Sequence, residues 1–399
     1  MKVEFAVPPG AAPAWDAAVL RDGEVLHASR GGEIAGVPVA GAPRAGAPHA
    51  GTPILFDVAS LTKVVATGTL AALLVKDGRI GLDVPVVEWL PRFRGGGAGK
   101  DRVTGKDRVT VRQLLAHSSG LPWWRPWFER AAADPVAGQA FQPPDLRPGD
   151  LRDAFARGRE ILEEALWAEP LEAPPGTRAL YGDPAFLALG FLLERAGGAT
   201  LDRLFEDRVA GPLGLVDTSF AGTGRTCAPT ERCPHRGEVN RGAVNDDNAW
   251  AMGGVAGHAG LFSTAADVAR LGQEWLDALS GRGRILDAGV ASEFARRDPT
   301  PGSERALGWD TPGAAGSSIG SSGRSSTPSS TRSSARLGLG PLGAIGHLGY
   351  TGCSLWIDRD RGLSCALLTN HVHPDGRRPA EILALRQAFH DAVAEAVAG

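Results

Sequence analysis

Apolar and polar residues alternate near both ends of the chain, whereas helical periodicity dominates between them. Residues 17–29 form two alternating runs around Asp22-Gly23, a dipeptide typical of a two-residue hairpin turn. Residues 353–358 and 363–370 form a second pair of runs, joined by a polar turn. Apolar positions recur with a period near 3.6 in further segments, which predicts helices over residues 60–80, 110–117, 151–167, 184–198, 201–213, 264–280 and 378–398.

Three stretches interrupt this pattern. The Gly/Ala/Pro-rich residues 31–53 are predicted to form a loop. The Ser/Gly-rich residues 313–336 lack the apolar surface needed for packing, so we expect a mobile loop there. The hexapeptide GKDRVT occurs at 99–104 and again at 105–110, which indicates a short duplication that lengthens a loop.

Composition excludes several classes of protein. The 399 residues carry 42 basic and 45 acidic side chains, a balance that gives no bulk field for nucleic acid or an anionic membrane. We find neither a run of signal-peptide type nor about 18 consecutive apolar residues, and therefore expect a cytoplasmic protein. Cys227, Cys233 and His235 lack the spacing of a metal knuckle. We expect reduced thiols, no metal and no cofactor.

Ser60 and Lys63 form an S-x-x-K pair at the predicted start of a helix. With 5 lysines and 21 serines, such a pair arises by chance about one time in four, so it is weak alone. On a helix, residues i and i+3 share one face, and a neutral lysine could accept the serine proton. Burial and the positive end of a helix both lower a lysine pKa, which favours that neutral form. The alternative is an ordinary serine cap, which leaves a first-turn cation that opposes the helix dipole.

Three other stretches resemble motifs of the serine β-lactamase and penicillin-binding protein superfamily. YGD at 181–183 resembles its Tyr-x-Asn element, and GHLGYTGCSLWID at 346–358 resembles its His-Thr-Gly strand. TVRQLLAHSSGLP at 110–122 is similar to a helix and turn of class C-like members. Residues 227–271 are similar to a segment of β-lactamase-like esterases and cytoplasmic N-acetylmuramyl-L-alanine amidases, although Asn245 stands where those relatives usually have histidine.

The resemblance implies a fold. It is an α/β fold of the α+β type, β-lactamase/transpeptidase-like, in one domain over residues 1–399. Residues 1–80 and 256–399 would form an antiparallel sheet flanked by helices, with the last helix packed on it. Residues 81–255 would form a mostly helical inserted region, and the site would lie between the two regions.

The resemblance also assigns roles. Ser60 would form an acyl-enzyme, and Lys63 and Tyr181 would move its proton to the leaving group. Asp183 stands where many relatives have asparagine; it would hydrogen-bond Lys63 or substrate, and it would favour a charged Lys63, so that proton transfer leans more on Tyr181. The backbone N–H groups of Ser60 and Tyr350 would form the oxyanion hole.

The strand motif departs from the family at one position. His347 and Gly349 fill the first and third places of the Lys-Thr-Gly triplet, and Gly349 permits close approach of substrate. Leu348 removes the hydroxyl that helps hold a substrate carboxylate in the family, and His347 is expected to be partly charged near neutral pH. Acyl-enzyme chemistry is therefore predicted more firmly than β-lactam hydrolysis.

The predicted function is a serine hydrolase acting on a small-molecule ester, amide, β-lactam or muramyl-peptide substrate. Within that class, an esterase or peptidoglycan-fragment amidase stands beside a class C-like β-lactamase or D-Ala-D-Ala carboxypeptidase. A catalytically idle ligand-binding protein of the same fold is the alternative of another class. No nucleic-acid or membrane partner is expected.

Other candidate residues are weaker. A G-x-S-x-G pattern at 316–320 lies inside the Ser/Gly-rich stretch, not between a strand and a helix. His117 is expected to be structural, and His258 either supports the site or contacts substrate. Four aromatic side chains could line an acyl pocket or pack in the core: Trp123, Trp124, Trp127 and Phe128.

Overall fold

The chain folds around a six-stranded antiparallel sheet, as seen in a computed structural model that describes residues 3–8, 10–34, 37–38, 53–94, 105–222, 224–311 and 344–398. Both ends of the chain build this sheet, because the strand Ala14–Arg21 (β1) pairs with the strand Leu363–Thr369 (β11). In the order β3-β2-β1-β11-β10-β9, its strands are Val37–Pro38, Glu24–Ile34, Ala14–Arg21, Leu363–Thr369, Ser354–Asp358 and Ala344–Leu348. The predicted sheet of N- and C-terminal segments is confirmed.

The first hairpin turns at the predicted dipeptide, where Asp22 and Gly23 have φ angles of 51° and 80°. Two successive residues with positive φ are typical of the tight turns that match strand twist. The predicted loop over 31–53 is wrong at its start, since β2 continues to Ile34 and β3 follows. Gly31 is required in the strand because a Cβ there would lie 2.8 Å from Trp15 Cζ2. Residues 39–52 lie outside the described residues.

The helices fall close to the predicted segments. The first begins one residue before Ser60, as a 3₁₀ turn at Ala59–Leu61 and a π-helical stretch at Lys63–Gly68. The α-helices α1 to α11 are Thr69–Lys76, Val111–Leu115, Phe128–Ala133, Arg152–Ala168, Asp183–Gly197, Leu201–Phe205, Gly211–Leu213, Asp247–Ala251, Ala265–Leu279, Ala288–Ala295 and Pro379–Ala398. Further 3₁₀ helices span Val86–Glu88, Lys106–Arg108 and Ala137–Phe141, and a π-helix, Glu206–Ala210, joins α6 to α7.

Helices cover both faces of the sheet. On β11, Leu363, Cys365 and Leu367 pack against the side of α11 that carries Leu385 and Phe389. The alternate positions of β11 face α9, and the Ser364 hydroxyl donates to the Ala269 carbonyl at 2.8 Å. All seven residues of β11 are therefore buried, as expected for a strand with apolar layers on both sides.

Short strands tie the helical region to the sheet. Phe56–Asp57 (β4) and Ser219–Phe220 (β5) pair with the two edges of Leu261–Ser263 (β8). Arg232–Cys233 (β6) and Glu238–Val239 (β7) form a separate hairpin. Strand β4 runs directly into the turn that carries Ser60, so the small sheet fixes that turn.

The second GKDRVT copy is part of the packed structure. Lys106 is buried, and its Nζ donates to the carbonyls of Leu166, Trp167 and Glu169 at 2.7–2.9 Å, where α4 ends. The first copy, the predicted mobile loop at 313–336 and the G-x-S-x-G pattern at 316–320 lie outside the described residues.

One helical segment of the described chain, Ala59–Lys76, is long and apolar enough to cross a membrane by composition. It is 83% buried inside the fold, as a core helix would be.

Candidate active site

The turn before Ser60 is strained and held by a buried carboxyl group. Ala59 has a φ of +48°, in the left-handed region that residues with a Cβ rarely adopt. Asp57, only 1% exposed, accepts the Ala59 N–H at 2.8 Å and the Asn245 N–H at 2.6 Å. Burial raises the pKa of Asp57 to about 6, although both N–H donors oppose this rise. Asp57 thus fixes the backbone that presents Ser60.

Lys63 lies at the centre of the site. Its side chain is fully buried, and Nζ donates to Ser60 Oγ at 2.9 Å, to Tyr181 OH at 3.0 Å and to Asp183 Oδ1 at 2.7 Å. The His258 carbonyl is a fourth acceptor at 3.4 Å. The structure therefore brings three side chains to one ammonium group, and the most distant of them in sequence is 120 positions from Lys63.

The charge of Lys63 differs from the sequence expectation. Burial, the largest influence, lowers the Lys63 pKa as predicted. The Asp183 carboxylate and Tyr181 outweigh burial, so the pKa of Lys63 is raised above its ordinary value. The predicted downward shift is wrong, because an anion lies 2.7 Å from the buried ammonium. The predicted effect of Asp183 is present: Lys63 is charged at neutral pH.

Tyr181 and Asp183 are positioned by the segment that follows α2. The Asp183 N–H donates to the Trp123 carbonyl at 2.9 Å, and the Gly182 N–H donates to His117 Nδ1 at 3.2 Å. The His117 ring also lies 4.7 Å from the Tyr181 ring, between centroids. Burial, followed by nearby cations, holds the pKa of His117 well below its ordinary value, which leaves a neutral ring that can accept at Nδ1. His117 supports Tyr181, in line with the structural role predicted for it.

The end of β9 packs against the turn that carries Ser60. A Cβ on Gly349 would lie 2.6 Å from the Val58 carbonyl oxygen, so a residue with a side chain could not hold this approach. Two residues further on, the Thr351 hydroxyl donates to the Asp57 carbonyl at 2.7 Å. These two contacts place the backbone of Tyr350 beside the turn that carries Ser60. The Tyr350 N–H has no backbone acceptor within the described part of the chain.

His347 is neutral, which corrects the expectation of partial charge. The ring is 2% exposed and lies 5.8 Å from the Tyr181 ring, between centroids. Burial, then Lys63 and Arg305, hold the pKa of His347 well below its ordinary value. Its Nδ1 contacts the Leu348 carbonyl at 2.9 Å. The first position of the strand triplet therefore carries no charge at neutral pH.

Arg305 is a residue of the site that the sequence motifs missed. Its guanidinium lies 4.5 Å from the Tyr181 ring centroid and forms an ion pair with Asp310. Arg305 is only 8% exposed, so this cation–π contact is shielded from water. Arg305 belongs to a polar stretch without a motif, and nothing in its spacing distinguishes it from the other arginines.

Other sequence candidates take supporting positions. His258 is 2% exposed and its Nε2 lies 3.0 Å from Asp246 Oδ1. This contact stabilises the loop in which the His258 carbonyl accepts from Lys63. Trp127 and Phe128 are core residues, whereas Trp123 is 46% exposed.

The cysteines considered for a metal lie apart in the fold. Cys227 packs with Leu55 and Phe262, while Cys233 Sγ contacts Asp247 at 3.2 Å. The described residues contain no group of three His, Cys, Asp or Glu side chains arranged to hold a metal ion.

A serine, a buried lysine and a tyrosine beside an antiparallel sheet with helices on both faces define the class of β-lactamase-fold serine hydrolases. The chain belongs to the β-lactamase family, whose family model matches residues 7–389. The resemblance stated from the sequence motifs is thus confirmed, as are the fold class and the assignment as a serine hydrolase.

Known proteins support this membership. A relative from Salmonella agona (strain SL483), named "Putative D-alanyl-D-alanine carboxypeptidase", is 30% identical over 343 residues, which cover 82% of this chain and 71% of the relative. The structure of EstCE1, a hydrolase with promiscuous acyltransferase activity, is similar with a TM-score of 0.65 at 21% identity, covering 96% of this chain and 94% of that one. An octameric penicillin-binding protein homologue from Pyrococcus abyssi has a TM-score of 0.62 at 18% identity, covering 98% and 74%.

Proposed function

We propose that this protein hydrolyses an ester or amide bond through an acyl-enzyme on Ser60, with Lys63 and Tyr181 as the proton-transfer groups. The observation that carries the proposal is the position of the Lys63 ammonium, which contacts Ser60 Oγ at 2.9 Å and Tyr181 OH at 3.0 Å. Both oxygens exchange protons in an acyl transfer, and one buried cation links them.

The charged state of Lys63 assigns the roles. A protonated lysine cannot accept the Ser60 proton, but it stabilises negative charge on an adjacent oxygen. In the proposed step Tyr181 acts as a phenolate, whose negative charge the Lys63 ammonium stabilises. Its oxygen accepts the proton as Ser60 Oγ attacks the carbonyl carbon, and the carbonyl electron pair moves to the carbonyl oxygen. The N–H groups of Ser60 and Tyr350 stabilise that oxyanion.

The second half of the reaction reverses these transfers. When the tetrahedral intermediate collapses, the bond to the leaving group breaks and Tyr181 returns the proton to that group. A water molecule then attacks the acyl-enzyme, gives its proton to Tyr181, and releases the acid as Ser60 regains its hydrogen.

The strand beside the site favours substrates without a carboxylate at the position where relatives bind one. His347 is neutral, and Leu348 offers no hydroxyl. Arg305, a nearby guanidinium, is paired with Asp310. We therefore place neutral esters and amides ahead of penicillins and peptides with a free carboxyl terminus.

A second candidate is D-Ala-D-Ala carboxypeptidase or class C-like β-lactamase activity. It is favoured by the relative named for the carboxypeptidase reaction, which is 30% identical. An amidase of muramyl peptides is a third substrate assignment within the same chemistry. The cytoplasmic location stays a prediction, for which cell fractionation with an antibody is the test.

The test of the proposed function compares wild type with Ser60→Ala. We expect a fluorophosphonate to label wild type alone, and p-nitrophenyl esters to be turned over by wild type alone. Equal labelling or equal turnover in both proteins would mean that Ser60 is not the nucleophile, and no labelling of either would favour the idle binding protein. Intact-protein mass after incubation with penicillin, a short-chain ester or a muramyl peptide identifies which acyl group stays on Ser60.

A further inference from the structure

A cavity of about 420 Å³ is linked to the site through two of its lining residues, Asn245, which donates to Asp57, and Glu231, which interacts with Tyr350. Its walls come from the β6–β7 hairpin, the segment before α8 and the loop between β11 and α11. Its charged and amide-bearing lining residues are Glu231, Arg232, Asn240, Asn245, Asp247 and Asp375. Three of these are carboxylates and one is an arginine, so the cavity is rich in hydrogen-bond acceptors.

Hydrogen bonds join the cavity wall to the reacting centre. Asn245 donates through Nδ2 to Glu231 Oε1 at 2.7 Å and through its N–H to Asp57 Oδ2 at 2.6 Å. Glu231 also interacts with the Tyr350 side chain, while the N–H of the same tyrosine is the proposed oxyanion donor. The cavity is therefore one tyrosine side chain away from the bond that would be cleaved.

Two acceptors in this wall lack a full set of donors. Glu231 is half-buried, accepts from the Asn245 amide and interacts with the Tyr350 phenol and, at longer range, with the Arg236 cation. Asn240 is 2% exposed, and its Nδ2 donates to Asn245 at 3.3 Å. Its Oδ1 is buried without a hydrogen-bond partner in the part of the chain that the structure describes. Buried acceptors in folded proteins usually receive a hydrogen bond from the protein, an ordered water or a ligand, so Asn240 Oδ1 has the capacity for one further donor.

The remaining charges are engaged or lie at the rim. Asp247 pairs with the buried Arg236 at 3.0 Å. Asp375 and Arg232 are exposed. The Arg377 guanidinium lies over the Tyr350 ring, 5.3 Å from its centroid. Glu231 is thus the inner carboxylate of the cavity and forms no ion pair with any residue that the structure describes.

We propose that this cavity binds a primary ammonium group of the substrate, with Glu231 as the specificity-determining residue and Asn240 as a second acceptor. The proposal rests on the proposed function, since it assigns a substrate class to the same site. An alkylammonium offers three N–H donors and no acceptor, which matches a carboxylate beside an unpaired amide oxygen. An anionic group would face the Glu231, Asp247 and Asp375 carboxylates.

The experiment uses pairs of rigid esters that differ in one group. In the first pair, 4-(aminomethyl)phenyl acetate and 4-ethylphenyl acetate place the ammonium or a methyl group in the alcohol. In the second pair, phenyl 4-(aminomethyl)benzoate and phenyl 4-ethylbenzoate place it in the acyl group. Wild type is expected to prefer the ammonium ester at least tenfold in kcat/KM in one pair, and Glu231→Gln is expected to reduce that ratio about tenfold. Using the ratio cancels any effect of Glu231 on Tyr350 that both esters share.

Glu238→Gln is the matched control, because Glu238 lies on the same hairpin but pairs with Arg147 outside the cavity lining. We expect it to leave the ratio unchanged. Equal turnover within both pairs by wild type, or a preference that survives in Glu231→Gln, would overturn the ammonium site. If the ethyl esters are hydrolysed in a Ser60-dependent manner, that result leaves the proposed function standing; if no ester is hydrolysed, the proposed function fails instead.

Wild type alone provides a second measurement that does not depend on a variant folding. Hydrolysis of the 4-ethyl ester is measured in the pair that shows the ammonium preference. Benzylammonium is expected to inhibit it at least tenfold more strongly than benzyl alcohol does. Stronger inhibition by the alcohol would assign the cavity to hydroxyl groups, such as those of a sugar, and would contradict the proposal.

Discussion

Asp183→Asn removes the carboxylate that pairs with the buried Lys63 ammonium. Lys63 is fully buried and the Asp183 side chain is 22% exposed, so the pair is shielded from water on the lysine side. Removing one partner of a buried ion pair typically destabilises a protein by ~3–5 kcal/mol. We expect about 2–3 kcal/mol here, because the amide oxygen and the Tyr181 hydroxyl still accept from Nζ.

This loss depends on pH with a definite sign. In wild type the Lys63 pKa is raised, so its contribution to stability is fully present below the unfolded lysine pKa of about 10.4 and is lost only as pH rises through the raised value. Without Asp183, burial is the largest remaining influence and lowers that pKa. The variant is then less stable than wild type at every pH at which the unfolded-state lysine is charged. This difference in the free energy of unfolding shrinks as the pH rises from 7 towards 10.

Urea unfolding of both proteins at pH 7 and pH 10 measures the effect. Lys63→Met provides the matched background, in which Asp183→Asn should cost little because no buried cation remains. A deficit below about 1 kcal/mol at pH 7, or one that is equal at both pH values, would refute the argument that Asp183 neutralises Lys63.

Two further substitutions test the turn that carries Ser60. Gly349→Ala would put a Cβ 2.6 Å from the Val58 carbonyl oxygen and so displace the turn. A displacement of even about 1 Å is expected to lower kcat roughly 100-fold. Fluorophosphonate labelling at the wild-type rate would show that the close approach of Gly349 to Val58 does not matter. For Asp57, whose pKa is raised to about 6, the labelling rate should fall as the pH drops through that value, because the protonated carboxyl loses an acceptor for the Ala59 or Asn245 N–H. Asp57→Asn should be labelled slowly at every pH. If the fall in labelling rate at acidic pH persists unchanged in this variant, another group causes it.

The sequence predicted which side chains lie around Lys63 better than it predicted the charge of that lysine. Ser60, Lys63, Tyr181 and Asp183 stand in short motifs whose spacing or order is visible in one dimension. Whether Lys63 is charged depends on a carboxylate 2.7 Å away in space and 120 positions away in the chain. Burial and the helix end alone predicted a lowered lysine pKa, and the opposing effect of Asp183 was expected only through the family motif, because no local pattern contains that distance.

The errors in the fold have a similar origin. Residues 31–34 have the composition of a loop, but the first two pair with β1 and the last two with β3, and Gly31 leaves room for the Trp15 ring. Arg305 was missed because a single arginine in a polar loop has no signature until the fold places it over Tyr181. Composition describes a segment in isolation, whereas these outcomes depend on its neighbours.

The protonation states around Tyr181 explain why one site can hold several basic groups without conflict. His117 and His347 both lie against Tyr181 and are neutral, because burial and the cations Lys63 and Arg305 lower their pKa values. Positive charge is therefore concentrated on the ammonium that contacts the Tyr181 oxygen and on the guanidinium over its ring. Both cations stabilise negative charge on that tyrosine, whereas neither can accept a proton from Ser60 while it stays charged. In the proposed mechanism this arrangement leaves the role of base to Tyr181, because the buried Asp183 partner keeps Lys63 protonated.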